Sequence, residues 1–192
     1  ADPANECFAL RREDGSLTGE IKPRALVHRD GDLHGASHVF LARLRGGRAE
    51  LLLQKRSAQK DSFPGLYDIS AAGHLDPGED FAAAARRELA EELGVTGAEP
   101  EFLFAQRNEI TAPSIEHPSL PNDRLVYLLV LDRPEEAFTP EACEVESVHW
   151  FSVREILRAM RENDPRFCLR EAEFRRLLPY LAQKFGIPVD KL

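Results

Sequence analysis

Sulfur, indole and long apolar runs are what this chain has least of. Across 192 residues it carries one tryptophan, one methionine and three cysteines. Cys7, Cys143 and Cys168 form no C-x-x-C pair and no even set. That excludes a disulfide framework and makes a reducing, cytoplasmic setting the expectation. The longest uninterrupted apolar stretch, 125–131, is seven residues, against the ~20 that a membrane helix needs. No basic segment followed by an apolar one opens the chain, so no secretion signal and no membrane partner are expected. Basic residues are also short, at 25 against 33 acidic ones, for a net charge of −8. Such a balance gives no bulk attraction to a nucleic acid polymer or an anionic lipid. An anionic ligand would have to be held by a metal or by a local basic cluster. Repeats and long Gly/Ser linkers are missing too. What remains, 43% hydrophobic and 30% charged residues, is the composition of a folded unit of ordinary domain size.

Periodicity and punctuation divide the chain into short elements. Residues 7–11 and 25–28 read as strands, the second running into the turn-prone Arg29-Asp30-Gly31-Asp32. Residues 37–44 and 50–54 flank Arg45-Gly46-Gly47-Arg48 as a hairpin. A short strand is expected over 67–71, and Asp80 is positioned to cap a helix that ends near Leu93, before Gly94. Further strands are expected at 102–108, 124–131 and 147–151, and helices at 153–163 and 171–185. The class is α/β or α+β, as one domain over 1–192. Within it, about 1–35 form an N-terminal strand extension, 36–163 the core and 164–192 a helical appendage.

The chemistry concentrates in residues 73–95. On the expected helix Glu88, Glu91 and Glu92 stand at i, i+3 and i+4, within an arc of roughly 100°. Ala82, Ala85, Leu89 and Leu93 form the adjoining flank that can dock the helix. Like charges at this spacing cost about a few tenths of a kcal/mol per pair. Arg87, four before Glu91, relieves part of that, and a divalent cation would relieve the rest. Arg-Glu-x-x-Glu-Glu by itself is ordinarily a solvated helix face. The surrounding spacing separates this one from that background. Gly73, Glu79, Arg87, Glu88, Glu91, Glu92 and Gly94 are seven specified positions. Each has a chance of about 1 in 15, so a random match is of order 10⁻⁶.

This pattern resembles the box of the Nudix superfamily, complete over its 23 residues. The resemblance implies a Nudix αβα sandwich with a central mixed sheet, here with an added C-terminal helix. It implies hydrolysis of a nucleoside or other organic diphosphate, a small-molecule partner, with Mg²⁺ or Mn²⁺; a homodimer is left open. Glu88, Glu91 and Glu92 would be the metal ligands, one of them doubling as base. Arg87 would orient them, Glu79 would tie the loop to the helix, and Ala72 would offer its backbone carbonyl to the metal. A further glutamate from a distal loop is expected, and Glu144 in Glu141-Ala142-Cys143-Glu144 fills that place.

A narrower resemblance, to type 1 isopentenyl-diphosphate isomerase, spans His28 to His34, Leu51 to Lys60, Phe63 to Asp68, and Gly73-His74. It implies diphosphate contacts from Arg56 and Lys60 and a second metal held by His28, His34 and His74. Three departures count against the isomerase reaction. Ala72 stands where the isomerase has a cysteine. Asn122-Asp123-Arg124-Leu125 supplies at most one carboxylate where the isomerase has a Glu-x-Glu pair. Glu88 and Glu91 are intact where the isomerase box lacks carboxylates. The expectation is a hydrolase on an isomerase-like scaffold, with an isomerase or a non-catalytic diphosphate-binding module as alternatives.

Overall fold

The structure is a computed structural model that describes residues 5–108 and 122–192. Strands β1 (Cys7–Arg11) and β2 (Leu17–Pro23) pair antiparallel and lead into α1 (Arg24–Asp30). Then come β3 (His34–Arg45), β4 (Arg48–Arg56), β5 (Tyr67–Asp68), β6 (Ala71–His74) and α2 (Phe81–Leu93). The chain continues through β7 (Glu101–Asn108), β8 (Asn122–Val130), β9 (Val145–Ser152), α3 (Val153–Arg161) and α4 (Glu171–Phe185). The main sheet runs β5-β4-β3-β8-β7, with β6 added to β3 and β9 to β4. Only the β3–β8 pairing is parallel among these, so the sheet is mixed.

Side-chain alternation along the central strands builds two cores. Val39 and Leu41 of β3 join Ala85, Leu89 and Leu93 of α2 on one face. Phe40 and Ala42 join Ile156 of α3 and Phe174, Leu177 and Leu181 of α4 on the other. A strand covered twice must be apolar at consecutive positions, as β3 is. The C-terminal helix, set apart above as an appendage, therefore closes one face of the sheet. Among the described residues no helix is long and apolar enough to cross a membrane.

Three local expectations need correction. Residues 25–28 are helical, inside α1, whose end at Gly31 (φ 70°) donates its N–H to Val27 O. A two-turn element buries too few residues for its period to show, and Gly31 was a helix stop rather than a turn centre. β2 is nearly all exposed, so no apolar alternation announced it. The strand expected over 67–71 is split into β5 and β6, with Ser70 Oγ donating to Leu52 O and accepting from Leu41 N.

Candidate active site

Helix α2 is fixed at both ends before its glutamates come into play. Asp80 accepts from Ala83 N at 2.7 Å, and Gly94 (φ 69°) closes the helix by donating to Ala90 O. A side chain at Gly94 would also overlap Thr139. Gly73 on β6 has its own reason: a Cβ there would occupy the space of the Glu88 carboxylate. The box glycines are thus one close approach and one left-handed cap.

Glu88 and Glu92 are 9% and 6% exposed, whereas the Glu91 side chain is 49% exposed. Glu92 accepts from Ala72 N at 2.9 Å and from Gln54 Nε2 at 2.7 Å. Burial pushes the pKa of Glu88 up, and the neighbouring Glu92 adds to it. Burial also pushes Glu92 up, against its two hydrogen bonds and Lys60, while Glu144 reinforces the rise. Two buried carboxylates with raised pKa values can serve together as ligands to a cation, which would hold them ionised. Hard carboxylate oxygens suit Mg²⁺ or Mn²⁺.

Arg87 holds this group together. Its Nε donates to Glu79 (3.0 and 3.1 Å), Nη1 to Glu88 Oε1 (2.6 Å) and Glu91 Oε2 (3.4 Å), and Nη2 to His74 O (2.9 Å). Glu79 also accepts from Asp76 N at 3.3 Å, so it ties loop to helix. Glu144 pairs with Lys60, and its backbone carbonyl accepts from Ser57 N. Arg56 donates to Asp68 (3.2 Å) and to Ser62 O (3.0 Å). The distal loop and the basic pair therefore meet each other, and both act electrostatically on Glu92 through Lys60 and Glu144.

The three histidines, 46 residues apart in sequence at their extremes, come together. One ligand atom from each of His28, His34 and His74 lies within 4.8 Å of the others. Phe8 backs the cluster, stacked on His34 at 5.0 Å and 4.5 Å from His74. His34 Nδ1 lies 2.9 Å from Asp32 O. A carbonyl only accepts, so Nδ1 carries the proton and Nε2 presents a lone pair. Nε2 of His34 and of His28 are buried with no hydrogen-bond partner among the described residues. Burial lowers all three pKa values, that of His28 to about 4. Neutral, oriented imidazoles with free nitrogens fit a transition-metal ion.

Sequence reasoning missed Gln54, the partner of Glu92, and the buried set of His38, Arg124 and Glu173 on the α4 side. The signals were present: a glutamine ending an apolar strand, and a glutamate in line with the α4 apolar stripe. An open cavity of about 470 Å³, lined by residues including Arg11, Phe81, Arg107 and Asp123, has none of the box glutamates in its wall.

Fold and site together define an αβα sandwich that carries a complete acidic box on its first long helix. A NUDIX domain family model matches residues 34–171, and the chain belongs to the Nudix family. Its sequence is 35% identical over 193 residues to Nudix hydrolase 3 of Arabidopsis thaliana, covering 97% of this chain and 25% of that protein. The chain thus spans about a quarter of that relative's length. It is 29% identical over 184 residues to isopentenyl-diphosphate Delta-isomerase of Photobacterium profundum, covering 94% of this chain and 97% of that one. The crystal structure of DR0079 from Deinococcus radiodurans shares the fold, with a TM-score of 0.60 at 23% identity over 82% of this chain and 90% of that one. Membership of the family, an intact box and a Nudix hydrolase among the relatives support an enzyme of the pyrophosphohydrolase type.

Proposed function

We propose that the chain is a divalent-metal-dependent hydrolase that cleaves the diphosphate linkage of a nucleoside di- or triphosphate or another organic diphosphate. One observation carries the reading: Glu88 and Glu92 are buried side by side, each with a raised pKa, and are oriented by Arg87, Gln54 and the Ala72 N–H. Glu88, Glu91 and Glu92, with the Ala72 carbonyl, would hold Mg²⁺ or Mn²⁺. When bound, such an ion neutralises the diphosphate and acidifies an attacking water. The protein's own share is positioning, because phosphoryl displacement asks for little covalent help. Arg56 and Lys60 would leave their partners Asp68 and Glu144 to grip the diphosphate. Glu144, once released, stands with the box glutamates as a further acceptor for the water's proton. His28, His34 and His74 would hold a second, transition-metal ion. Three unpaired cysteines agree with a cytoplasmic setting.

The isomerase reading finds less support. Ala72 has no proton to give, and Asp123 is held by Arg107 at 2.8 and 3.2 Å. Burial pushes the Cys168 thiol up to about 12, so it is no substitute for an active cysteine. The test of the hydrolase reading is turnover with added Mg²⁺ across a panel of organic diphosphates. Glu91→Gln and Glu92→Gln should each lower it by about 10²-fold or more in folded protein. Near wild-type rates in both variants would refute the assignment.

A further inference from the structure

We propose that the α4 side of the sheet contains a binding site for one oxyanion group, a phosphate or a carboxylate, gripped by Arg124 and Arg170. Three guanidinium groups, those of Arg56, Arg124 and Arg170, converge there on two carboxylates, Asp68 and Glu173. His38 joins them through Nδ1, which donates to Glu173 Oε2 at 3.1 Å. Burial lowers the His38 pKa, against Glu173, which raises it. Burial alone would raise Glu173, but His38, Arg124 and Arg170 outweigh it and hold it at about 2. Counted formally, three guanidinium groups face two carboxylates, so the cluster is one negative charge short.

The deficit falls on Arg124. Its side chain is 2% exposed, and its nearest carboxylate oxygen, Glu173 Oε1, lies 3.9 Å from Nε, beyond hydrogen-bonding reach. Among the described residues neither Nε nor Nη1 of Arg124 has a hydrogen-bond partner. An oxyanion on either donor edge of the Arg124 guanidinium, Nε with Nη2 or Nη1 with Nη2, would satisfy one of these buried donors. Arg170 pairs only loosely with Asp68, at 3.9 Å, and its side chain is 40% exposed, so it links the interior to the surface. An apolar ligand group would leave the same donors unsatisfied, which argues against an alkenyl tail in this place.

The test is calorimetric titration of inorganic phosphate into the metal-free protein, which needs no enzymatic activity. One saturable site is expected. Arg124→Met and Arg170→Gln should each weaken it by about tenfold or more, the scale of one charge-assisted contact. Arg170 lies at the rim, so its variant keeps the test valid if the buried substitution unfolds the chain. Glu173→Gln removes a competing charge and should tighten phosphate, a gain that a merely structural role for Glu173 would not give. Arg45→Ala, at an exposed ion pair with Asp132, should change nothing. Phosphate binding that is absent, or that is lost in Lys60→Ala but kept in Arg170→Gln, would overturn the proposal. In turnover assays, phosphate that raises KM in wild type but not in Arg170→Gln would mark the anion as the substrate's own group. Phosphate that changes kcat alone, again only with Arg170 present, would mark a separate anion.

Discussion

Removing divalent metal should make the protein less stable as pH rises above neutrality, and Mg²⁺ should reverse this. Glu88 and Glu92 have pKa values raised above the 4.5 of a free glutamate. A group of this kind contributes stability that is complete below its unfolded pKa and is lost as pH rises through its folded value. His28, His34, His38 and His74 act in the opposite sense, because burial lowers them, but only below their ordinary 6.5. Between about pH 7 and about pH 8.5 the glutamates are left to set the slope. One carboxyl that stays protonated in the fold costs about 1.4 kcal/mol per pH unit. Over that window the loss is about 2 kcal/mol, or about 4–8 °C in Tm for a chain of this size. Mg²⁺ at a hundred times its Kd returns about 2.7 kcal/mol. Its benefit should grow with pH, since the ligands must be ionised to bind. Thermal denaturation in EDTA and in Mg²⁺ across this range is the assay, and Glu88→Gln should flatten the metal-free slope. A metal-free Tm that stays level or rises from pH 7 upward, or an Mg²⁺ shift equal at both ends, would refute the reasoning.

Other consequences are simpler to state. Replacing both Arg56 and Lys60 by Ala should lower kcat/KM for diphosphates more than about tenfold; unchanged kinetics would return them to ordinary ion pairs with Asp68 and Glu144. Dialysed wild-type protein should retain about one transition-metal ion per chain by elemental mass spectrometry, and His34→Ala should lose it. Equal metal content in the two would remove the histidine site. Isopentenyl diphosphate incubated in heavy water should gain no deuterium at its alkenyl carbons, because Ala72 offers no acid and Asp123 is engaged. Clear metal-dependent incorporation would overturn the hydrolase reading.

Helix α2 was legible because every level agreed: cap, apolar stripe, carboxylate arc and terminal glycine all pointed to one element. Gly73 was legible only as part of a pattern. Its physical reason, the Glu88 carboxylate lying where a Cβ would be, needs the packed helix to be seen. The histidine trio was legible through resemblance, since no local period joins residues on α1, β3 and β6. Glu173 was legible only as a glutamate in line with the α4 apolar stripe, and its pairing with Arg124 was not legible, because the contact spans 49 positions, from β8 to α4. Long-range pairing of buried charges leaves no mark in a hydropathy pattern.

The two candidate metal positions share β6 without sharing a face. Successive side chains of a strand point to opposite sides. Gly73 accordingly faces Glu88 on the α2 side, while Ala72 packs with the α4-side core and His74 stands with Phe8, His28 and His34. Arg87 bridges the two, donating to Glu88 and to His74 O. A substitution at position 72 can therefore remove an acid from one face and leave the carboxylates on the other untouched. The backbone N–H of residue 72 serves Glu92 whatever its side chain. That separation explains how an isomerase-like histidine cluster and a complete hydrolase box coexist in one chain. It also makes Arg87 the residue whose loss should disturb both.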